Sequence, residues 1–227
     1  NDCHEPLFNT VELFSAEYDG DLKNEECYGG LDLASVEDMC SLSLCFPKGE
    51  KRLIAQRAYL PQAAMERRLK DGDKTLEQFK ESGNLIVTPG EVCDYDYIKR
   101  DILQIVENFD VQGIDFDRWN SSKLVGELIQ EEVPMVQFGQ GFASMNAPMK
   151  ELLRLTLTKN IVHNDCVLSW AMSNVVAGVN PAGDIKPDKS QVSEKIDPAV
   201  STIMAIALAI KPDSDIGSSQ TMVDMND

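Results

Sequence analysis

The 227-residue chain is short of positive charge: 21 Lys and Arg stand against 38 Asp and Glu, for a formal net charge of −17 and a pI of about 4.4. That deficit excludes a protein that coats nucleic acid by bulk charge. It leaves open an enzyme whose acids hold metal ions. Long apolar runs are also missing. The longest, Ala199 to Ile210, is 12 residues and too short to span a bilayer, and no signal peptide is visible. The six cysteines (Cys3, Cys27, Cys40, Cys45, Cys93 and Cys166) include no CxxC pair. They read as reduced, mostly buried thiols of a cytosolic protein, not as a disulfide framework, and Cys3-His4 offers two adjacent ligands without partners. No Gly-x-x-x-x-Gly-Lys-Ser/Thr run occurs, so an ATP site of that type is absent. Residues 139–144 lack the Gly-x-Gly-x-x-Gly spacing of a phosphate cradle. Neither an internal repeat nor a low-complexity tract is present.

What is there is an ordinary globular composition, 43% hydrophobic and 26% charged. The acidity sits largely at the ends: residues 1–26 carry −7 and residues 211–227 carry −3, leaving −7 for everything between. We read 1–27 as an acidic lead-in, 28–211 as one domain and 212–227 as an acidic flexible tail. Strands are expected at Tyr28–Ser35, Leu42–Phe46 and Arg52–Tyr59, with turns at 36–39 and at Pro47-Lys48-Gly49. Helices are expected at Gln62–Asp71, at Thr75–Ser82 and from an Asp94 N-cap to Phe109. Val111–Trp119 reads as a strand with Ile114 and Phe116 on one face and Asp115 and Asp117 on the other. A helix at Ser122–Glu131, a parallel strand at Pro134–Phe138 and helices at Pro148–Leu157 and Val167–Val176 follow. A polar loop at Gly178–Ser193 precedes a final apolar helix, Pro198–Ile210. Three antiparallel strands and then strand–helix–strand alternation imply an α/β fold, a mixed central sheet flanked by helices.

Three acids stand where acids are costly: Asp32 in an apolar strand, Asp117 at the end of Ile-Asp-Phe-Asp, and Asp197 before the most hydrophobic helix. A buried carboxylate must be hydrogen-bonded, protonated or paired with a cation. Converging, the three could bind divalent metals through hard oxygen ligands. Each also has a plainer reading. Asp32 could face solvent on an edge strand, Asp115 and Asp117 could mark a turn, and Asp197-Pro198 fits an N-cap followed by Pro at the first helical position. Pattern alone leaves these alternatives open, with capping favoured for Asp197.

A set of ordered segments narrows the choice: Tyr-Gly-Gly-Leu-Asp-Leu-Ala-Ser (28–35), Thr-Pro-Gly-Glu-Val-Cys-Asp-Tyr (88–95), Ile-Asp-Phe-Asp-Arg-Trp-Asn (114–120), Gln-Gly-Phe-Ala-Ser-Met (140–145), Ile-Val-His-Asn (161–164) and Lys-Ile-Asp-Pro-Ala-Val (195–200). In order and spacing the chain resembles the nuclease domain of the large terminase subunit of tailed bacteriophages, from Tyr28 to about Ile210. The resemblance implies an RNase H-like fold and a metal-dependent endonuclease that cuts concatemeric viral DNA when packaging starts and ends. By motif position Asp32, Asp117 and Asp197 match the family's catalytic acids and metal ligands. Asp115 is a possible alternative to Asp117, and Asp38 falls on a further family acid for which a turn role is favoured. Pro198 stands where many relatives have Gly.

The implied cofactors are two divalent cations, Mg²⁺ or Mn²⁺, roughly 3.5–4 Å apart in such sites. The implied partners are double-stranded viral DNA and, in the full-length context, the portal protein and small terminase subunit. The implied location is the host bacterial cytoplasm at the procapsid portal, with no membrane contact. The isolated domain is expected to be monomeric. Lys195, Lys189, Lys186 and Arg118 are the candidate DNA-phosphate contacts, with Arg67, Arg68 and Lys150 further away. The missing ATP motif and the Asn-Asp-Cys start read as a domain separated from its motor. Two competing readings are a RuvC-like junction resolvase on the same fold and a non-enzymatic acidic interaction protein or DNA mimic.

Overall fold

The computed structural model describes residues 21–33, 38–117, 122–190 and 195–211. Strands β1 (Glu26–Asp32), β2 (Cys40–Lys48) and β3 (Lys51–Pro61) form the expected antiparallel meander. Gly49, with φ of 59°, turns the chain between the last two. Helices α1 (Gln62–Lys70) and α2 (Thr75–Glu81) lead to β4 (Leu85–Thr88), which lies parallel to β3. Helix α3 (Tyr95–Asn108) starts on the predicted cap, with Asp94 accepting from the Asp96 amide at 3.0 Å. Strand β5 (Asp110–Asp117) pairs parallel with β1, and α4 (Ser122–Gln130) returns the chain to β6 (Met135–Phe138), parallel to β5. Then come α5 (Phe142–Leu157), β7 (Ile161–Val162), α6 (Cys166–Ser173), β8 (Ala177–Val179), β9 (Ile185–Pro187) and α7 (Asp197–Ala209). The main sheet runs β4-β3-β2-β1-β5-β6, with β7 joining the early part of β3.

Three readings are corrected. The stretch from Gly178, expected to be a polar loop, contains most of the β8–β9 hairpin. Its turn is tied by Asn180, whose side-chain oxygen accepts from the amides of Ala182 and Asp184 at 3.0 and 2.9 Å. That side-chain scaffold replaces the apolar alternation which marks most strands. Helix α5 begins at Phe142, not at Pro148, so Pro148 lies inside it without an amide to donate. The short strands β4 and β7 were not expected, because two to four apolar residues carry no periodicity of their own.

The sheet is covered on both faces. On one, Leu31, Leu42, Ile114 and Phe116 pack with Ile98 and Ile102 of α3 and with Leu124 and Leu128 of α4. On the other, Cys45 and Phe138 pack beneath α5, α6 and α7. Helix α7 is buried on every side, and its apolarity all round follows from that. It approaches β1 closely because Gly30 has no side chain. A Cβ there would lie 2.0 Å from the Ser201 carbonyl oxygen and 2.6 Å from the Ala205 nitrogen. Across this seam the Ser201 hydroxyl lies 2.7 Å from those of Ser41 and Ser43 on β2, so the buried polar atoms are paired. The close contact presses the middle of α7 against β1 near that strand's end.

Candidate active site

The parallel strands β1, β5 and β6 end at one edge of the sheet, the edge at which ligands bind in open α/β sheets. Asp32 closes β1 and Asp117 closes β5. The last paired residues are Leu31 and Phe116. One step further the register sets Asp32 and Asp117 side by side on neighbouring strands, about 4.8 Å apart in backbone spacing. Asp32 is 3% exposed, on a central strand, so the edge-strand alternative does not hold.

Asp197, 9% exposed, is the first residue of α7, one position past the N-cap Ile196. Its Oδ1 lies 3.3 Å from the Lys189 ammonium, which donates to Asp32 Oδ2 at 2.9 Å. One lysine therefore bridges two acids from opposite ends of the chain. Gln140, just beyond β6, completes the shell by donating through Nε2 to Asp32 Oδ1 at 2.8 Å. A cavity of about 280 Å³ opens beside them, lined by Gln140, Met145, Lys186, Lys189 and Val200 among others.

The electrostatics follow from burial. The Asp197 carboxyl is pushed up to about 6, first by desolvation and then by the neighbouring charge of Asp32. Burial works to lower the Lys189 ammonium, but the charges of Asp32 and Asp197 outweigh it and leave it raised. Asp115 is fully buried on the α7 side of β5, opposite Gly30 in the register, and burial pushes its carboxyl up to about 8. Neither of its oxygens has a hydrogen-bond partner among the described residues.

Of the candidate site residues, the structure thus joins Asp32 and Asp197 through Lys189 and sets Asp117 beside Asp32. Asp115 sits one strand pleat deeper. Asp38 is an exposed residue outside this group, ion-paired with Lys195. Lys186 lies over the Phe142 ring, 5.1 Å from its centroid. Arg118 falls outside the described residues. Among the described residues no three His, Cys, Asp or Glu side chains form a ready-made metal cluster. The donor set still suits a hard cation: two buried carboxylates already share one positive charge, and a third holds two unsatisfied oxygens nearby.

Gln140 was missed as a site residue, although it opens one of the quoted segments. Its signal was positional, two residues past a strand that ends at this edge. A cavity of about 590 Å³ lies on the opposite face beside α3 and is lined by Leu42, Leu44, Arg57, Asp101 and Phe109 among others, away from the acids.

Residues 19–212 match the family described as the terminase large subunit, endonuclease domain. The large terminase subunit of Enterobacteria phage HK97 is 30% identical over 186 residues, covering 80% of this chain and 37% of that protein. Protein YmfN of Escherichia coli (strain K12) is 31% identical over 221 residues, covering 89% and 48%. The chain thus spans less than half the length of these relatives. The crystal structure of the HK97 large terminase superposes with a TM-score of 0.80 at 26% identity, over 89% of this chain and 43% of that one. The large terminase nuclease of thermophilic phage G20c shares the fold, with a TM-score of 0.58 at 11% identity over 88% and 97%. Crystal structures of that nuclease contain magnesium in one case and cobalt in another. The mixed sheet and its flanking helices are the RNase H-like fold of these nucleases. On this match the chain belongs to the family of terminase large subunit endonuclease domains.

Proposed function

We propose that the chain is a metal-dependent DNA endonuclease that cuts viral DNA during packaging. Asp32, Asp117 and Asp197 hold two divalent cations, Mg²⁺ or Mn²⁺, with Asp115 behind them. The observation that carries this reading is the shared cation: Asp32 and Asp197, distant in sequence, are brought within 2.9 and 3.3 Å of one positive charge at the ligand-binding edge of the sheet. The magnesium and cobalt found in the G20c nuclease support the cation class. When bound, such ions activate water and stabilise the charge that develops on a phosphodiester.

The chain's own residues supply the rest. The packing of α7 against Gly30 sets Asp197 beside Asp32, and Gln140 fixes the Asp32 carboxylate by holding Oδ1. The hydrophobic wall of α7 limits water on the inner side. Lys195, Lys189, Lys186 and Arg118 are the chain's candidate contacts to DNA phosphates. Residues 28–211 constitute the nuclease domain. In a full-length subunit the domain acts with the portal protein and small subunit at the procapsid, in the host cytoplasm.

The test is plasmid nicking in Mg²⁺ or Mn²⁺ by the wild type and by Asp32→Asn, Asp117→Asn and Asp197→Asn, each confirmed folded. Cleavage by the wild type alone is expected. Activity retained in one variant removes that residue from the site. A strong preference for branched over linear DNA points instead to a junction resolvase, and absence of any metal-dependent cleavage refutes the nuclease reading.

A further inference from the structure

We infer that Lys189 is a positioning residue that competes with divalent metal for Asp32 and Asp197, so that metal entry turns its ammonium outward as a DNA-phosphate contact; this rests on the metal site proposed above. A cation held between the two carboxylates would draw on the oxygens to which Lys189 donates, and the two positive charges would repel at that range.

The backbone around the lysine is tied down. The Asp188 amide donates to the Val176 carbonyl at 2.9 Å, anchoring the base of the β8–β9 hairpin. The amide and hydroxyl of Ser190 both donate to Asp188 Oδ1, at 3.0 and 2.6 Å. The side chain is not so confined, being 46% exposed against 5% and 12% for the acids that it bridges. A flexible four-carbon stem on a fixed backbone can carry the charge from the carboxylates to solvent without moving the fold. Gln140 stays on the other Asp32 oxygen, so Asp32 keeps its orientation when the ammonium leaves. The arrangement couples metal and DNA: each cation that displaces Lys189 frees one positive charge beside the cavity where a phosphate would lie.

Titration calorimetry with Mn²⁺ and no DNA tests this directly, using wild type, Lys189→Met, Lys189→Arg and Asp32→Asn. Lys189→Met should bind Mn²⁺ about tenfold more tightly than wild type, the size of an ordinary coupling between two sites. Lys189→Arg, which keeps the charge, should stay near wild type, and Asp32→Asn should lose the binding. Equal or weaker Mn²⁺ affinity in Lys189→Met overturns the competition while leaving the metal site standing, provided that wild-type binding depends on Asp32. If neither wild type nor Lys189→Met shows Asp32-dependent binding, the metal site itself falls and the competition with it. Lys189→Met leaves two buried carboxylates without their ammonium, so thermal unfolding of each variant confirms that it is folded before the titration.

Discussion

The fully buried Asp115 carboxylate makes stability depend on pH in a way that one substitution should erase. Neither oxygen has a partner among the described residues, and the Lys211 charge offsets only part of the desolvation. Its folded value of about 8 lies far above the 3.8 of a free aspartate. Between those values the folded chain holds a proton that the unfolded chain has lost, so stability falls as pH rises through this window. At about 1.4 kcal/mol for each tenfold change in proton affinity, the full difference is about 6 kcal/mol. Relaxation and water entry reduce such penalties, so an effect of about 2 kcal/mol or more is expected at pH 8. Asparagine is a neutral near-isostere of the protonated acid. Urea unfolding of wild type and Asp115→Asn, without metal and from pH 4.5 to 8.5, should give similar midpoints at the acid end. The variant should become progressively more stable as pH rises. A wild-type-minus-variant difference that stays constant across the range would refute the claim that burial holds a proton on Asp115.

Other expectations follow from single contacts. Gly30→Ala sets a methyl 2.0 Å from the Ser201 carbonyl oxygen and should cost about 3 kcal/mol or more, seen as a lower urea midpoint. An unchanged midpoint would mean that α7 can shift away from β1. Asp165 caps α6 by accepting from the amides of Val167 and Leu168 at 2.8 and 3.0 Å and also takes a hydrogen bond from Asn84 at 3.0 Å. Asp165→Ala should lose about 2 kcal/mol by the same assay. His163 is buried and lowered to about 4 by desolvation, against 6.5 when free, so stability is lost as pH falls from 6.5 towards 4. His163→Gln should flatten that acid limb in a pH series of thermal melts.

Much of the framework is legible in the sequence, for identifiable reasons. The meander announces itself through Pro47-Lys48-Gly49 and apolar strands, α3 through its Asp94 cap, and β5 through the alternation of Ile114 and Phe116 with Asp115 and Asp117. The elements that escaped notice are those whose cause lies elsewhere in the chain. Strand β7 exists because β3 is long enough to pair beyond β4, and the β8–β9 turn exists because Asn180 ties its own backbone. Asp197-Pro198 reads as a cap, but Ile196 takes that position and the Asp197 carboxylate, one residue further on, meets Lys189.

The sequence by itself determined the acidic balance, the α/β order and three acids in places where a carboxylate needs a cation or a proton, because composition and periodicity are properties of neighbours along the chain. Only the tertiary structure decided who meets whom. It placed Asp117 beside Asp32, drew Asp197 to the same edge, set Gln140 on Asp32 and gave one ammonium to two acids. Those pairings depend on a helix that can press against β1 only where a glycine leaves room, a close approach between residues more than 170 apart that no local pattern records.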